Sequence, residues 1–294
     1  MLKKRQRRPP AQARRNKLDP GTIVAAVPVS ALEKIFKRVP ILAESHPQDF
    51  TIRPLPGFTN HNFHLQNNEH DWVLRIPKPE TNQTINRQHE AHNARIAYSL
   101  GLAPDCLWRD ESGLSLNLSL PDSRPMNTND INNRATLSRL LKTICGLHKS
   151  KNKFLGTVDL AELLSHYYKQ VPGHLQNRIE PSYRLAIAKL ESLPDKEKML
   201  VPSHNDLVLE NILLDAAGQI WLIDWEYSSM ASPYWDLATL CNAAKLDQTQ
   251  CAWLITEYAN HCLNLVPEIL FDYRYMLDVL STCWMAVFGE TDGI

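Results

Sequence analysis

Long apolar runs are missing from the 294-residue chain: no stretch approaches the ~18–20 residues that cross a bilayer, so no spanning helix is expected. Cysteine is sparse. The six present (Cys106, Cys145, Cys241, Cys251, Cys262, Cys283) are scattered, with no C-x-x-C pair and no Cys/His cluster at metal-ligand spacing. They read as reduced thiols of a cytoplasmic protein and argue against a disulfide framework or a zinc site. Internal repeats are absent too. Net charge is zero, with 32 basic and 32 acidic residues, but eight of the basic ones fall in the first 17 positions. The rest of the chain carries a net −8, which offers no argument for binding nucleic acid.

What is present is a composition fit to fold: 44% hydrophobic and 22% charged residues at a length that buries one large core or two modest ones. Residues 1–20 are rich in Lys, Arg, Pro and Gln and have little to bury, so they read as a disordered basic tail, with an arm for an anionic surface as the alternative. Ile23 to Val27 after that tail superficially suggests a signal peptide, but Asp19, Pro20 and Pro28 interrupt it.

From Pro28 to Lys37 the pattern predicts a short amphipathic helix. Phe63–Leu65 and Trp72–Ile76 then read as strands joined by a polar hairpin connection at 67–70, with Pro77 and Pro79 ending the second. A helix follows, with Ile85, His92, Ile96 and Leu100 on one side, stopped by Gly101 and Pro104. Leu107–Leu120 is strand-rich and 121–133 a polar loop. Beyond it the spacing turns helical: Leu137, Leu140, Leu141, Ile144 and His148 share a face, and further helices fit 160–170, 181–193, 233–245, 248–263 and 268–288. Asn211–Leu214 and Gln219–Asp224 interrupt them as strand, turn, strand. The expected organisation is a nucleotide-binding lobe over 21–121 and a catalytic, substrate-binding lobe over 122–294.

The strongest local signal is His204-Asn205-Asp206-Leu207-Val208-Leu209-Glu210-Asn211, followed thirteen residues later by Asp224 at the end of the second hairpin strand. Phosphoryl transfer from ATP needs a carboxylate to orient the attacking hydroxyl and oxygen ligands to fix Mg²⁺ against the phosphates. An Asp and an Asn five positions apart, with a hairpin returning a second Asp, supply those groups from one local unit. The order H-x-D-x-x-x-x-N…D is that of a kinase catalytic loop and metal aspartate.

Residues 201–240, above all His204–Leu207, Asn211–Leu213 and Ile223-Asp224-Trp225-Glu226-Tyr227, resemble the choline/ethanolamine kinase family and its thiamine-kinase and aminoglycoside-phosphotransferase relatives. Pro233-x-Trp235-Asp236-Leu237-Ala238 looks like the helix start that follows in bacterial members. The amino-terminal half agrees: Leu55-Pro56-Gly57-Phe58-Thr59-Asn60-His61-Asn62-Phe63 looks like the family's nucleotide loop, and Val73-Leu74-Arg75-Ile76 like its basic strand. The likeness spans roughly residues 52–290 and implies an α+β, protein kinase-like fold: a small β-rich N-terminal lobe and a larger, mainly helical C-terminal lobe.

It also implies roles. Asp206 is the expected catalytic residue and Asn211 and Asp224 the expected Mg²⁺ ligands. Gly57, Thr59 and Asn60 are expected at the phosphates of ATP, with Arg75 gripping them and Glu90 aiming Arg75. Asp236 braces the catalytic loop, and His204 supports it by hydrogen bonding. The G-x-G-x-x-G, H-R-D and A-P-E signatures of protein kinases are absent, as is the G-x-x-x-x-G-K-[ST] loop, so a small-molecule acceptor is expected. Aromatic faces and a carboxylate hold a quaternary ammonium best, which nominates Glu226, Tyr227 and Trp284. Val287 stands where eukaryotic choline kinases have a second tryptophan, and Asn242-Ala243-Ala244 where they carry an acid. Choline leads the expected substrates, with thiamine, ethanolamine and aminoglycosides as alternatives, and a non-catalytic nucleotide binder as the rival of another class.

Overall fold

The computed structural model describes residues 28–79, 85–197 and 199–288; the expected basic tail lies outside them. A five-stranded antiparallel sheet in the order β1-β2-β3-β5-β4 forms the first lobe, from β1 (Thr51–Leu55), β2 (Asn60–Gln66), β3 (Asp71–Pro77), β4 (Cys106–Arg109) and β5 (Ser115–Leu118). Period-2 alternation sends Phe63, Leu65, Trp72, Leu74 and Leu116 to one face, where α1 (Val29–Arg38) covers them. There Phe36 of α1 stands edge-on to Phe50, 5.9 Å away, and Phe50 leans on Trp72. The hairpin at 67–70 is closed by Asn67, whose Oδ1 accepts from the amides of Glu69 and His70. The same alternation puts Arg75 on the opposite face, toward α2 (Arg87–Ser99).

Helix α2 departs from expectation in the face it buries. Ile96 is only half-buried and Leu100 is 36% exposed, while Arg87, Glu90, Asn93 and Ala97 are buried. The helix lies between the two lobes, and its inward side meets polar groups from both. Asn93 Nδ2 donates to the carbonyls of Ser228 (2.9 Å) and Leu155 (3.1 Å), and its Oδ1 accepts the Leu155 amide at 2.8 Å.

The second lobe is mainly helical. The loop expected at 121–133 contains β6 (Arg124–Pro125) and a short helix, α3 (Thr128–Asn132), which Asn127 and Asp130 cap reciprocally. Helix α4 (Arg134–His148) runs through the core and buries Leu137, Leu140, Leu141, Ile144 and His148, the face read from the spacing. Around it pack α5 (Leu160–Gln170), α6 (Gly173–Glu191), α7 (Pro233–Ala244), α8 (Gln248–Ala259) and α9 (Pro267–Phe288). Helix α6 begins eight residues before the expected Pro181. Burial of Leu175 and Ile179 one turn apart stabilises the earlier turns, and Pro181 sits on the exposed side, where water can serve the carbonyl it leaves unpaired.

Two small sheets are set among these helices: β6 beside the hairpin β8 (Ile212–Leu214) and β9 (Ile220–Leu222), and β7 (Val201–Ser203) beside β10 (Ser229–Ala231). No helix among the described residues is long and apolar enough to cross a membrane.

Candidate active site

The loop between β7 and β8 carries His204 to Asn211, and its shape is imposed by buried side chains. Asp236, in the first turn of α7 and fully buried, accepts the amides of His204 (2.9 Å) and Asn205 (2.7 Å) and pairs with His148 Nε2 at 3.0 Å. Burial would raise its carboxyl, but the His148 hydrogen bond and the nearby imidazoles outweigh this and hold it below its ordinary value. Trp235 Nε1 donates to the Asn205 carbonyl at 3.1 Å. These contacts maintain Asn205 in the left-handed region, at φ 65°, a conformation asparagine tolerates better than most residues. The brace expected of Asp236 is thus seen directly, with His148 behind it.

His204 is pinned at both ring nitrogens. Nδ1 accepts the Asp206 amide at 3.3 Å, so Nε2 carries the proton and donates to the Ile223 carbonyl at 2.9 Å. Burial lowers the imidazole's pKa and favours this neutral form. His204 therefore ties the loop to the end of β9 and has no free nitrogen for proton transfer.

Asp206 and Asn211 meet. Asn211 Nδ2 donates to Asp206 Oδ2 at 2.8 Å and to its carbonyl at 3.0 Å, while the Asn211 carbonyl accepts the Ile223 amide at 3.0 Å. That backbone bond sets Asp224 beside Asn211. Asp224 takes φ 68°, which ends β9 and turns the chain into the 3₁₀ turn Trp225–Tyr227. Burial, then the charges of Asp224 and Glu226, push the Asp206 carboxyl up to about 7 from an ordinary 3.8.

Arg75 reaches this corner from β3. One guanidinium nitrogen pairs with Glu90; the other pairs with Glu226 and, at 2.9 Å, with Asp224 Oδ1. Burial opposes the charge, yet the three carboxylates outweigh it and hold Arg75 protonated. Burial likewise would raise Glu90, but Arg75, Arg109 and Arg87 bring it down to about 2. Arg87 and Arg109 were not among the expected site residues. The i, i+3 spacing of Arg87 and Glu90 was a readable signal for the first; nothing local pointed to the second.

The glycine loop lies over the same corner. A Cβ on Gly57 would stand 2.5 Å from the Asn60 carbonyl oxygen and 2.6 Å from Asn62 Nδ2, so the turn admits only glycine. Thr59 and Asn60 are buried, and Asn60 Nδ2 donates to Thr59 Oγ1 (2.8 Å) and Glu226 Oε2 (3.1 Å). Their side chains fix the loop's path; its backbone is what remains to meet a ligand.

Glu226 corrects one sequence reading. Expected with Tyr227 and Trp284 at the substrate, its side chain is 1% exposed and turned to Arg75 and Asn60. Tyr227 lies near Glu226, Tyr167 and Asp206, and burial followed by Glu226 raises its hydroxyl pKa. Trp284 of α9 contacts Phe58 at the glycine-loop tip, with ring centroids 4.9 Å apart, and Phe288 at 5.5 Å; Phe288 in turn meets Tyr167 at 6.1 Å. An aromatic row thus runs from the loop tip to Tyr167, and Phe58, Phe288 and Tyr167 are members that sequence reasoning missed.

The donor chemistry fits Mg²⁺. With Nδ2 engaged by Asp206, Asn211 has only Oδ1 left to offer beside the Asp224 carboxylate, which is 29% exposed, and hard oxygens suit this ion. Among the described residues no group of three His, Cys, Asp or Glu could hold a metal ion.

A model of the phosphotransferase enzyme family matches residues 51–262, from β1 to just past α8. The chain belongs to this family. It is a small-molecule kinase, and its likeness to choline and ethanolamine kinases extends beyond the motifs. The protein LicA of Haemophilus influenzae strain KW20 Rd is 31% identical over 249 residues, which cover 79% of this chain and 91% of that one. The crystal structure of the choline kinase LicA from Streptococcus pneumoniae superposes with a TM-score of 0.77 at 23% identity, over 87% of this kinase and 90% of that chain. A choline/ethanolamine kinase family protein from Mesorhizobium loti gives 0.70 at 26% identity, over 87% and 84%.

Proposed function

We propose that this kinase transfers the γ-phosphate of ATP to the hydroxyl of a small amino alcohol, choline foremost, in the cytoplasm. The observation that carries the reading is the corner where Asp206, Asn211 and Asp224 converge under the glycine loop and Arg75. Residues 21–121 act as the nucleotide-binding lobe and 122–294 as the catalytic and substrate-binding lobe. Asp206 accepts a hydrogen bond from the substrate hydroxyl, aims its oxygen at the γ-phosphorus and takes the proton as the bond forms. Asn211 Oδ1 and the Asp224 carboxylate hold Mg²⁺, which when bound draws negative charge from the phosphates. Arg75, aimed by Glu90, pairs with phosphate oxygens, and the backbone around Gly57 and Thr59 offers amides to them.

Choline is favoured over ethanolamine by the row of Tyr167, Phe288, Trp284 and Phe58, with Tyr227 near Tyr167. A trimethylammonium group donates no hydrogen bond and is held best against aromatic faces, whereas a primary ammonium gains from hydrogen-bond acceptors, which Phe58, Trp284 and Phe288 do not offer. Two structural relatives are a choline kinase and a choline/ethanolamine kinase family protein, which supports the same substrate class. The test is ADP release from ATP over choline, ethanolamine, thiamine and aminoglycosides, with Asp206→Asn as control. Choline-dependent release abolished in the control is the expected result. Binding of Mg·ATP without release across the panel would establish the non-catalytic alternative.

A further inference from the structure

Behind the Asp206 corner, among the described residues, three guanidiniums (Arg75, Arg87, Arg109) face three carboxylates (Glu90, Asp224, Glu226). Arg87, in the first turn of α2, places Nη1 2.7 Å from Glu90 Oε2 and 3.5 Å from Glu226 Oε2, and so bridges a first-lobe carboxylate to a second-lobe one. Its side chain is 7% exposed, against 1% for both glutamates. The slot around it is shaped to fit. Gly113, at φ 88°, passes so close that a Cβ there would lie 2.6 Å from Arg87 Nε and 2.7 Å from Cδ.

The distribution of these pairs is uneven. Glu90 has three arginine partners, whereas Asp224 shares with Glu226 a single nitrogen of Arg75. For Arg75 to turn this nitrogen to phosphate oxygens, it must leave both. Asp224 is 29% exposed and can be compensated from the cleft. Glu226 cannot, and a buried carboxylate stripped of its cation is strongly disfavoured. Among the ion pairs of the described residues, Arg87 is the cation then left against Glu226.

We propose that Arg87 is a positioning residue for phosphoryl transfer: by neutralising Glu226 and Glu90 from behind, it lets Arg75 turn from the protein's carboxylates to the nucleotide. The inference rests on Arg75 holding phosphate, as proposed above. Arg109 secures Glu90 in the same way but makes no pair with Glu226, so the release of Arg75 depends on Arg87.

The test is titration calorimetry of ADP, with and without Mg²⁺, on the full-length protein and on Arg87→Met, Arg87→Lys and Arg87→Met/Glu226→Gln. Arg87→Met keeps the volume, removes the charge and weakens ADP at least tenfold. Arg87→Lys stays within about threefold of the parent, and the double variant, which removes one charge of each sign, recovers most of the loss. In turnover, Arg87→Met raises KM for ATP far more than it lowers kcat. A purely structural arginine would not be rescued by Glu226→Gln, so loss without rescue overturns the proposal, as does unaltered ADP affinity in Arg87→Met. Failure of both arginine-free variants to fold overturns it as well. A parent protein that binds no ADP refutes the phosphate-binding role of Arg75 itself, a result distinct from the others.

Discussion

Replacing Asp206 with Asn should abolish most turnover and stabilise the metal-free protein. The substitution is nearly isosteric, and the hydrogen bond from Asn211 Nδ2 can be kept by the new side-chain oxygen, so the loop retains its shape. What disappears is the carboxylate. Loss of general-base and orienting function costs about 10²–10⁴ in rate, so kcat should fall on the order of a thousandfold. KM for ATP should remain within about threefold, because neither Gly57 nor Arg75 touches Asp206. The stability sign follows from the raised pKa. A carboxyl at about 7 in the fold and near 3.8 unfolded loses stability as pH rises through that window, because burial and the charges of Asp224 and Glu226 disfavour its ionised form. At about 1.4 kcal/mol per pKa unit the upper limit is about 4 kcal/mol. Water reaching a half-buried carboxylate reduces this to about 1–2 kcal/mol, or ~2–6 °C in Tm. Scanning calorimetry at pH 8 in EDTA and steady-state ADP release measure the two effects. A variant within tenfold of parental kcat, or one that melts lower, would refute the reasoning.

Gly57→Ala should raise KM for ATP at least tenfold, because the added Cβ collides with the Asn60 carbonyl and displaces the loop; a melting temperature lowered by only a few degrees would locate the defect in the loop. Trp284→Ala should raise KM for choline about tenfold or more and leave KM for ATP within about twofold, whereas equal effects on both would remove Trp284 from the substrate side. Glu90, near 2 in the fold against 4.5 unfolded, gives stability that is complete above pH 4.5 and is lost as pH falls toward 2. Acid unfolding of the parent should therefore steepen in that window and flatten in Glu90→Gln, and identical acid profiles would count against the charge cluster.

The catalytic loop and the β8–β9 hairpin were legible because their information is local. H-x-D-x-x-x-x-N occupies one loop, and a tight turn returns Asp224 to it, so spacing alone brings the groups together. Strands β7 and β10 were not legible. Each has three residues, too few to show a period, and they pair across 25 intervening positions. The buried face of α2 misled for another reason: Ile96 and Leu100 form the apolar side, yet Arg87, Glu90 and Asn93 are buried because their partners Arg109, Glu226 and Ser228 arrive from distant sequence. Glu226 was misread through its neighbour. In a 3₁₀ turn adjacent side chains point about 120° apart, so Glu226 meets Arg75 without Tyr227 following it.

These contacts also decide where the cleft can open. At its back, α2 is held to the second lobe by the four hydrogen bonds of Asn93, buried or partly buried, and by the buried pair of Arg87 and Glu226. Breaking them would leave several polar groups unpaired at about 1–3 kcal/mol each. At its mouth the lobes meet through Phe58, 54% exposed, against Trp284, and an aromatic pair of this kind contributes about 0.5–1.5 kcal/mol. Admission of ATP and the proposed acceptor should therefore part Phe58 from Trp284 first and leave the Arg87–Glu226 bridge in place. A nitroxide pair reporting the glycine loop against α9 should lengthen and broaden in the ligand-free protein, while a pair reporting α2 against residues 225–229 should remain narrow. Broadening at the α2 pair alone would reverse the order of opening argued from these energies.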